Sequence, residues 1–441
     1  LFFKDAEDAA AALDITLTAR GQHGGDPIPM AGVPHHAADS YLSRLIRLGF
    51  RVAVCEQLED PAEAKKRGSK AVVKRGVVRI VTPGTLTEDS LLDARSANTL
   101  AALAVMGDGE SAAIVTADVS TGQFDVYPCS QDEIGERLSS VSPREIIVSD
   151  SVMARPYISD LLEMLEAPVT PRPSIKSDAK SGERLLKQAY EVSSLDAFGG
   201  FSRAELCASA LLLDYLELTQ AGQTPRLDPP RHRAASAFMA IDQATRASLE
   251  IEKTVRGGKQ GSLLATIDRT ITAPGARLLG EQVSRPLLDI NAINDRLDAV
   301  TWFQNETTVR EDVRAALKQA ADVERARMRL ALGRGGPKDL LALMRGLKTG
   351  EQIAALMSTV LGGTPKLLIE ACRALSLVDK PSVAEFVRKL EAAIKEDAPA
   401  LARDGGFINE GFDPSLDEAR NLRDDSRKII AGLQSQYAEQ T

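Results

Sequence analysis

Between Lys65 and Arg79 the chain carries Lys65, Lys66, Arg67, Lys70, Lys74, Arg75 and Arg79 with no acidic residue among them. A local positive field of that kind suits the phosphates of a nucleic acid, or else it is a solvated basic loop. Upstream, residues 24–36 read GGDPIPMAGVPHH, with three prolines, three glycines and Met30 between Pro29 and Ala31. A loop so restricted holds an apolar tip in a fixed shape, which is what a wedge entering a DNA minor groove requires. His35 and His36 follow at the start of a predicted helix, where they either contact a phosphate or cap the turn.

Other chemistry is thin. The four histidines lack the spacing of a metal site, so no metal ligand is expected. GGKQGS at 257–262 lacks the G-x-x-x-x-G-K-[ST] spacing and the strand-to-helix context of a phosphate-binding loop, and reads as a loop or helix boundary. ATP hydrolysis is therefore not expected of this chain. Asp118, in VTADVSTGQF, stands where a metal-dependent nuclease would place a carboxylate. Such a site needs further converging acids, for which only Glu145 and Asp150 are candidates, so a structural role is expected for Asp118 and no catalytic residue is assigned.

A chain of 441 residues with 44% apolar content divides into about three domains. No apolar run approaches the roughly 18 residues of a membrane-spanning helix, and the expected location is cytoplasmic. The net charge of −8 argues against a generally basic surface and leaves the local run at 65–79 as the cationic feature. Cys55, Cys129, Cys207 and Cys372 stand in no paired spacing, so reduced, mostly buried thiols are expected.

The positioning elements follow from periodicity. KDAEDAAAALD (4–14) predicts a helix, ITLTAR a strand, DSYLSRLIRLG a helix with one apolar face, and RVAVCEQ and GVVRIVTPG strands. Residues 1–93 thus form a small mixed α/β domain. A second α/β unit over 99–222 contains the β-rich runs TLAALAVMG and SAAIVTADVSTGQFDVYP around a GDGE turn, an exposed polar loop at 168–182 and a long helix at 203–220. A Pro- and Arg-rich linker spans 223–236, a helical domain 237–415, and a long charged helix 416–441. Both ends read as cuts through longer elements.

The segments LDITLTARG, PIPMAGVPHHA, RVAVCEQLEDP, VVRIVTPGT and, further on, IDRTITAPGARLL with SRPL resemble the MutS family of bacterial DNA mismatch repair proteins over the whole chain. The resemblance implies a mismatch-recognition domain, a ribonuclease-H-like connector, a helical core or lever, and the start of a clamp. It implies binding to mismatched double-stranded DNA, homodimer formation in the full-length protein, and a MutL-type partner reached through the connector. It also places the intercalating Phe-x-Glu motif just before Leu1 and an ATPase domain using ATP and Mg²⁺ after Thr441, so no cofactor is expected in the chain itself. By position, Arg20, Met30, Pro34 and His35 fall near the minor groove or its phosphates, with Lys74, Arg75 and Arg79 on the flanking backbone. Two of these keep bland alternatives: Met30 as core filler, and Arg79 as the ion-pair partner of Glu56 or Asp60. The competing readings are a helical scaffold that binds protein and a nuclease centred on Asp118.

Overall fold

TLAALAVMG and its successor run become the centre of a six-stranded sheet. The computed structural model describes residues 1–68, 71–107, 111–165, 167–222, 225–360 and 362–439. Lys70, most of the expected GDGE turn and the first two residues of the expected linker lie outside the described residues.

Helix α1 (Phe3–Leu13) buries Ala6, Ala9, Ala10 and Leu13, the one-sided spacing its sequence predicts. Strands β1 (Thr18–His23) and β2 (Asp26–Met30) then form an antiparallel hairpin. This corrects the reading of 24–36 as a continuous loop. Pro27 and Pro29 lie two apart, so their missing N–H groups fall on the same edge, and Ile28 between them remains free to face β1. Helix α2 (Ala38–Arg47) turns Leu42, Leu45 and Ile46 inward. Strand β3 (Val52–Gln57), helix α3 (Pro61–Lys66) and strand β4 (Arg75–Val81) complete this part, with β3 antiparallel to β4.

The larger sheet is built from β5 (Leu100–Val105), β6 (Ser111–Asp118), β7 (Gln123–Ser130), α4 (Ile134–Val141), β8 (Glu145–Ser149), α5 (Asp150–Met153), α6 (Pro156–Glu163), β9 (Val169–Arg172), α7 (Ala179–Tyr190), α8 (Arg203–Thr219) and β10 (Arg231–His232). Its strand order is β10-β7-β6-β5-β8-β9, antiparallel from β5 through β7 and parallel from β5 through β9. Every residue of β5 and β8 is buried, because helices cover both faces. Leu100, Ala102 and Ala104 point to a core shared with Ala208, Leu211 and Leu212 of α8. Ala101, Leu103 and Val105 point the other way, to Ile134, Leu138 and Ile158. Where α7 crosses α8, a Cβ added at Gly182 would lie 2.0 Å from the carbonyl oxygen of Leu206, so this crossing requires glycine.

Two expectations are corrected here. Residues 168–182 are not one exposed loop: they hold the edge strand β9 and the start of α7, hidden from the sequence by a polar composition. Within 223–236, Arg231–His232 joins the sheet parallel to β7. Arg231 Nε at 2.9 Å and Arg233 Nε at 3.1 Å both donate to the buried Asp125, fixing the stretch that reads as a linker.

Beyond it come α9 (Gln243–Ser248), α10 (Leu263–Ile267), α11 (Ala273–Ser284), α12 (Ile290–Asn305), α13 (Thr307–Leu317), α14 (Val323–Ala331), α15 (Pro337–Ser358), α16 (Lys366–Leu375), α17 (Pro381–Ala393) and α18 (Pro414–Glu439). GGKQGS precedes α10, whose N-cap is Ser262. The chain divides into one unit of residues 1–302 with 327–334 and a second of 303–326 with 335–441, a division that cuts through the stretch 237–415. In the second unit, Leu341 and Met344 of α15 pack with Val387 and Leu390 of α17. In α18, Arg420 donates to the carbonyl of Ile408 at 3.0 Å, while 421–426 are exposed.

Asp118 closes the β6–β7 turn. Its carboxylate accepts from the Asn98 N–H at 2.8 Å, the Ser120 N–H at 2.9 Å and the Ser120 hydroxyl at 2.6 Å. Asp118→Ala strands these donors in a buried site, and we expect a loss of about 3 kcal/mol in unfolding free energy, measured by denaturant titration of the chain. A loss under about 0.5 kcal/mol, the scale of an ordinary surface change, would contradict this role.

Candidate nucleic-acid interface

The cations of 65–79 are sorted by where helix α3, strand β4 and the connection between them place each one. Leaving β3, the chain is closed into a short excursion by the Leu58 N–H donating to the Lys74 carbonyl at 2.9 Å. Inside it, Asp60 caps α3 by accepting from the Ala62 N–H at 2.8 Å. Glu59 accepts from the Lys74 N–H at 2.5 Å and pairs with the Arg67 guanidinium. One carboxylate thus neutralises Arg67 and fixes the backbone of Lys74, leaving that side chain outside. Glu59 was missed as a positioning residue; its only sequence signal is an acid just ahead of a basic run.

Lys65, Lys66, Lys74 and Arg75 are exposed. Among the described residues, none of these four has a carboxylate partner, and neither does Arg20. Arg20 is exposed on β1 at the register break between Ala19 and Gln22, a bulge that re-aims its side chain.

Arg79 is corrected. It lies half-buried on β4 in an ion pair with Glu88, a partner from beyond the strand, and not with Glu56 or Asp60. Burial lowers its pKa, with the positive charge of Arg334 acting the same way and Asp39 and Glu56 opposing. Its charge is spent inside the fold, on Glu88.

Met30 is also corrected. It is half-buried at the end of β2, opposite Thr18, whose hydroxyl donates to the Met30 carbonyl at 2.9 Å, and Phe2 bridges to it from the other side. It is not a presented tip. Its side chain shares the wall of an open recess of about 550 Å³ with Ile15, Thr16 and Gly32. Pro34 and His35 are exposed, as is His36, and neither histidine makes a side-chain cap for the helical turn that follows.

The described residues contain no group of three or more His, Cys, Asp or Glu able to hold a metal ion. The Asp118 oxygens are filled by protein donors, which removes the basis of the nuclease reading. All four cysteines are free, but only Cys207 is buried, against the expectation of mostly buried thiols: Cys55 is exposed on β3. Among the described residues no helix is long and apolar enough to cross a membrane.

Three family models match in succession: MutS domain I over residues 1–90, MutS domain II over 98–228 and MutS domain III over 244–441. The DNA mismatch repair protein MutS of Caulobacter vibrioides is 52% identical over 441 residues, 99% of this chain and 49% of the relative. Those of Caulobacter sp. strain K31 and Cereibacter sphaeroides are 50% and 49% identical over 100% of this chain and 49% of their own lengths. The chain therefore spans about half the length of the curated relatives it matches. With its three regions matched in order by MutS domains I, II and III, the chain belongs to the MutS family of DNA mismatch repair proteins.

Proposed function

We propose that this chain engages mismatched double-stranded DNA in mismatch repair, holding the phosphate backbone with cations displayed by its first ninety residues. The carrying observation is the placement of Lys74 and Arg75. Both are exposed and lack a carboxylate partner, at the start of a strand whose far end is anchored in the buried sheet by Thr82 and Gly84. Contacts of this kind supply register and affinity without reading sequence. Arg20 joins them from the hairpin, and Pro34 and His35 lie on the exposed connection between the hairpin and α2.

The same reading extends to the rest of the chain. The strand order β7-β6-β5-β8-β9, antiparallel then parallel, supports a ribonuclease-H-like connector. The helices after 237 serve as a lever, with α18 as the start of a clamp. Homodimer formation and a MutL-type partner at the connector belong to this proposal, as do ATP and Mg²⁺ acting elsewhere in a longer protein, since this sequence holds no P-loop. No observation favours the protein-scaffold reading over it.

Each lost phosphate contact lowers the slope of log affinity against log salt by about 0.9. The double variant Lys74→Ala, Arg75→Ala is expected to reduce that slope by about 2, equally on matched and G·T-mismatched duplex, in fluorescence anisotropy. Arg79→Ala is expected to leave the slope unchanged and to lower stability by about 1–2 kcal/mol by stranding Glu88. An unchanged slope in the double variant, or a reduced slope in Arg79→Ala, would overturn the assignment.

A further inference from the structure

The carboxyl ends of the parallel strands β5, β8 and β9 lie together at one end of the large sheet, and a cleft of about 630 Å³ opens there. On one side of β5 the neighbouring strand is antiparallel and on the other it is parallel. In open α/β sheets such a crevice, outside the carboxyl ends and where the connections diverge, is where ligands sit. Its size falls within the roughly 300–1,000 Å³ of small-molecule sites.

The lining is divided chemically. Val105, Val152 and Cys207 are buried apolar groups. Around them stand the hydroxyls of Ser149, Ser174 and Ser177 and the guanidinium groups of Arg155 and Arg203. Arg155 is placed by Nη1 donating to the Met106 carbonyl at 3.0 Å, which leaves its other N–H groups for a ligand. Arg203 is the exposed first residue of α8, a helix of 17 residues whose positive end adds to its charge. Among the described residues no carboxylate lines the cleft, and neither arginine has a carboxylate partner. None of these groups belongs to the DNA-facing set proposed above.

We propose that this cleft binds a phosphate monoester with an apolar or aromatic body, a ligand the size of a nucleoside monophosphate. Arg155 and Arg203 engage the phosphate dianion, for which paired guanidinium groups are the fitting donors. The serine hydroxyls complete its hydrogen bonds, and the body lies against Val105, Val152 and Cys207.

The test is calorimetric titration of the 441-residue chain with AMP, inorganic phosphate and adenosine. AMP is expected to bind saturably with Kd below about 1 mM, inorganic phosphate about tenfold more weakly, and adenosine without measurable heat. Arg203→Gln, an exposed change that preserves the far-UV circular dichroism, is expected to weaken AMP about tenfold or more. Arg155→Lys supplies a second variant, expected to weaken it as well because an ammonium group cannot reproduce the fork. No saturable AMP binding, adenosine or phosphate binding as tight as AMP, or an unchanged affinity in both variants would overturn the proposal.

Discussion

A single buried carboxylate sets the geometry of the first unit. Glu145, at the foot of β8 and 1% exposed, accepts from the Thr82 hydroxyl at 2.5 Å, the Gly84 N–H at 3.0 Å, and the Thr170 and Tyr215 hydroxyls at 2.6 Å each. A buried carboxylate without donors costs several kcal/mol, so the four groups that satisfy it are fixed relative to one another. They come from the exit of β4, from β9 and from α8. Burial, with the Glu145 charge acting in the same direction, pushes the Tyr215 phenol well above its usual range, keeping it a donor. Gly84 is required there, because a Cβ would lie 2.5 Å from Leu100 Cδ1.

From that anchor the connection between the two α/β parts is held along its length. Thr87 accepts from Arg334 at 2.9 Å, Asp89 from Arg329 at 2.5 Å and Asp93 from Lys259 at 2.8 Å. Against the desolvation that burial imposes, the Lys259 bond and those from the Arg95 N–H and Ser96 hold Asp93 far below the usual carboxylate range. Arg95 reaches Asp268 at 2.7 Å, and the Ala94 carbonyl accepts from Arg277 at 3.0 Å. The sheet at one end of β4 is therefore a rigid support for the cations at the other. A backbone-gripping surface gains most from such pre-organisation, since side chains on a fixed strand lose less freedom when they meet phosphates.

Much of this was legible in the sequence where one element decides its own structure. The alanine-rich α1 and the one-sided α2 follow from apolar spacing, and the fully buried β5 from an unbroken apolar run. The failures share a cause, which is pairing with residues outside the segment itself. Strand β2 was hidden by two prolines that only an edge strand tolerates, and β9 by polar residues that need β8 beside them. Exposed Lys74 and Arg75 could be proposed from charge alone, whereas the loss of Arg79 to Glu88 and of Arg67 to Glu59 could not. The helical half offers no composition change to mark where Trp302 ends one unit, and the return of 327–334 to that unit rests on arginines bonded to Thr87, Asp89 and Asp228.

The most direct measurement is amide hydrogen exchange at Gly84 in the chain and in Glu145→Gln. Glutamine keeps the size of the side chain but replaces one acceptor oxygen with a donor, which faces other donors in this site. Gly84 exchange is expected to accelerate by about tenfold or more, with the amides of β8 still protected. Unchanged protection at Gly84 would show that the exit of β4 is held by something other than this carboxylate.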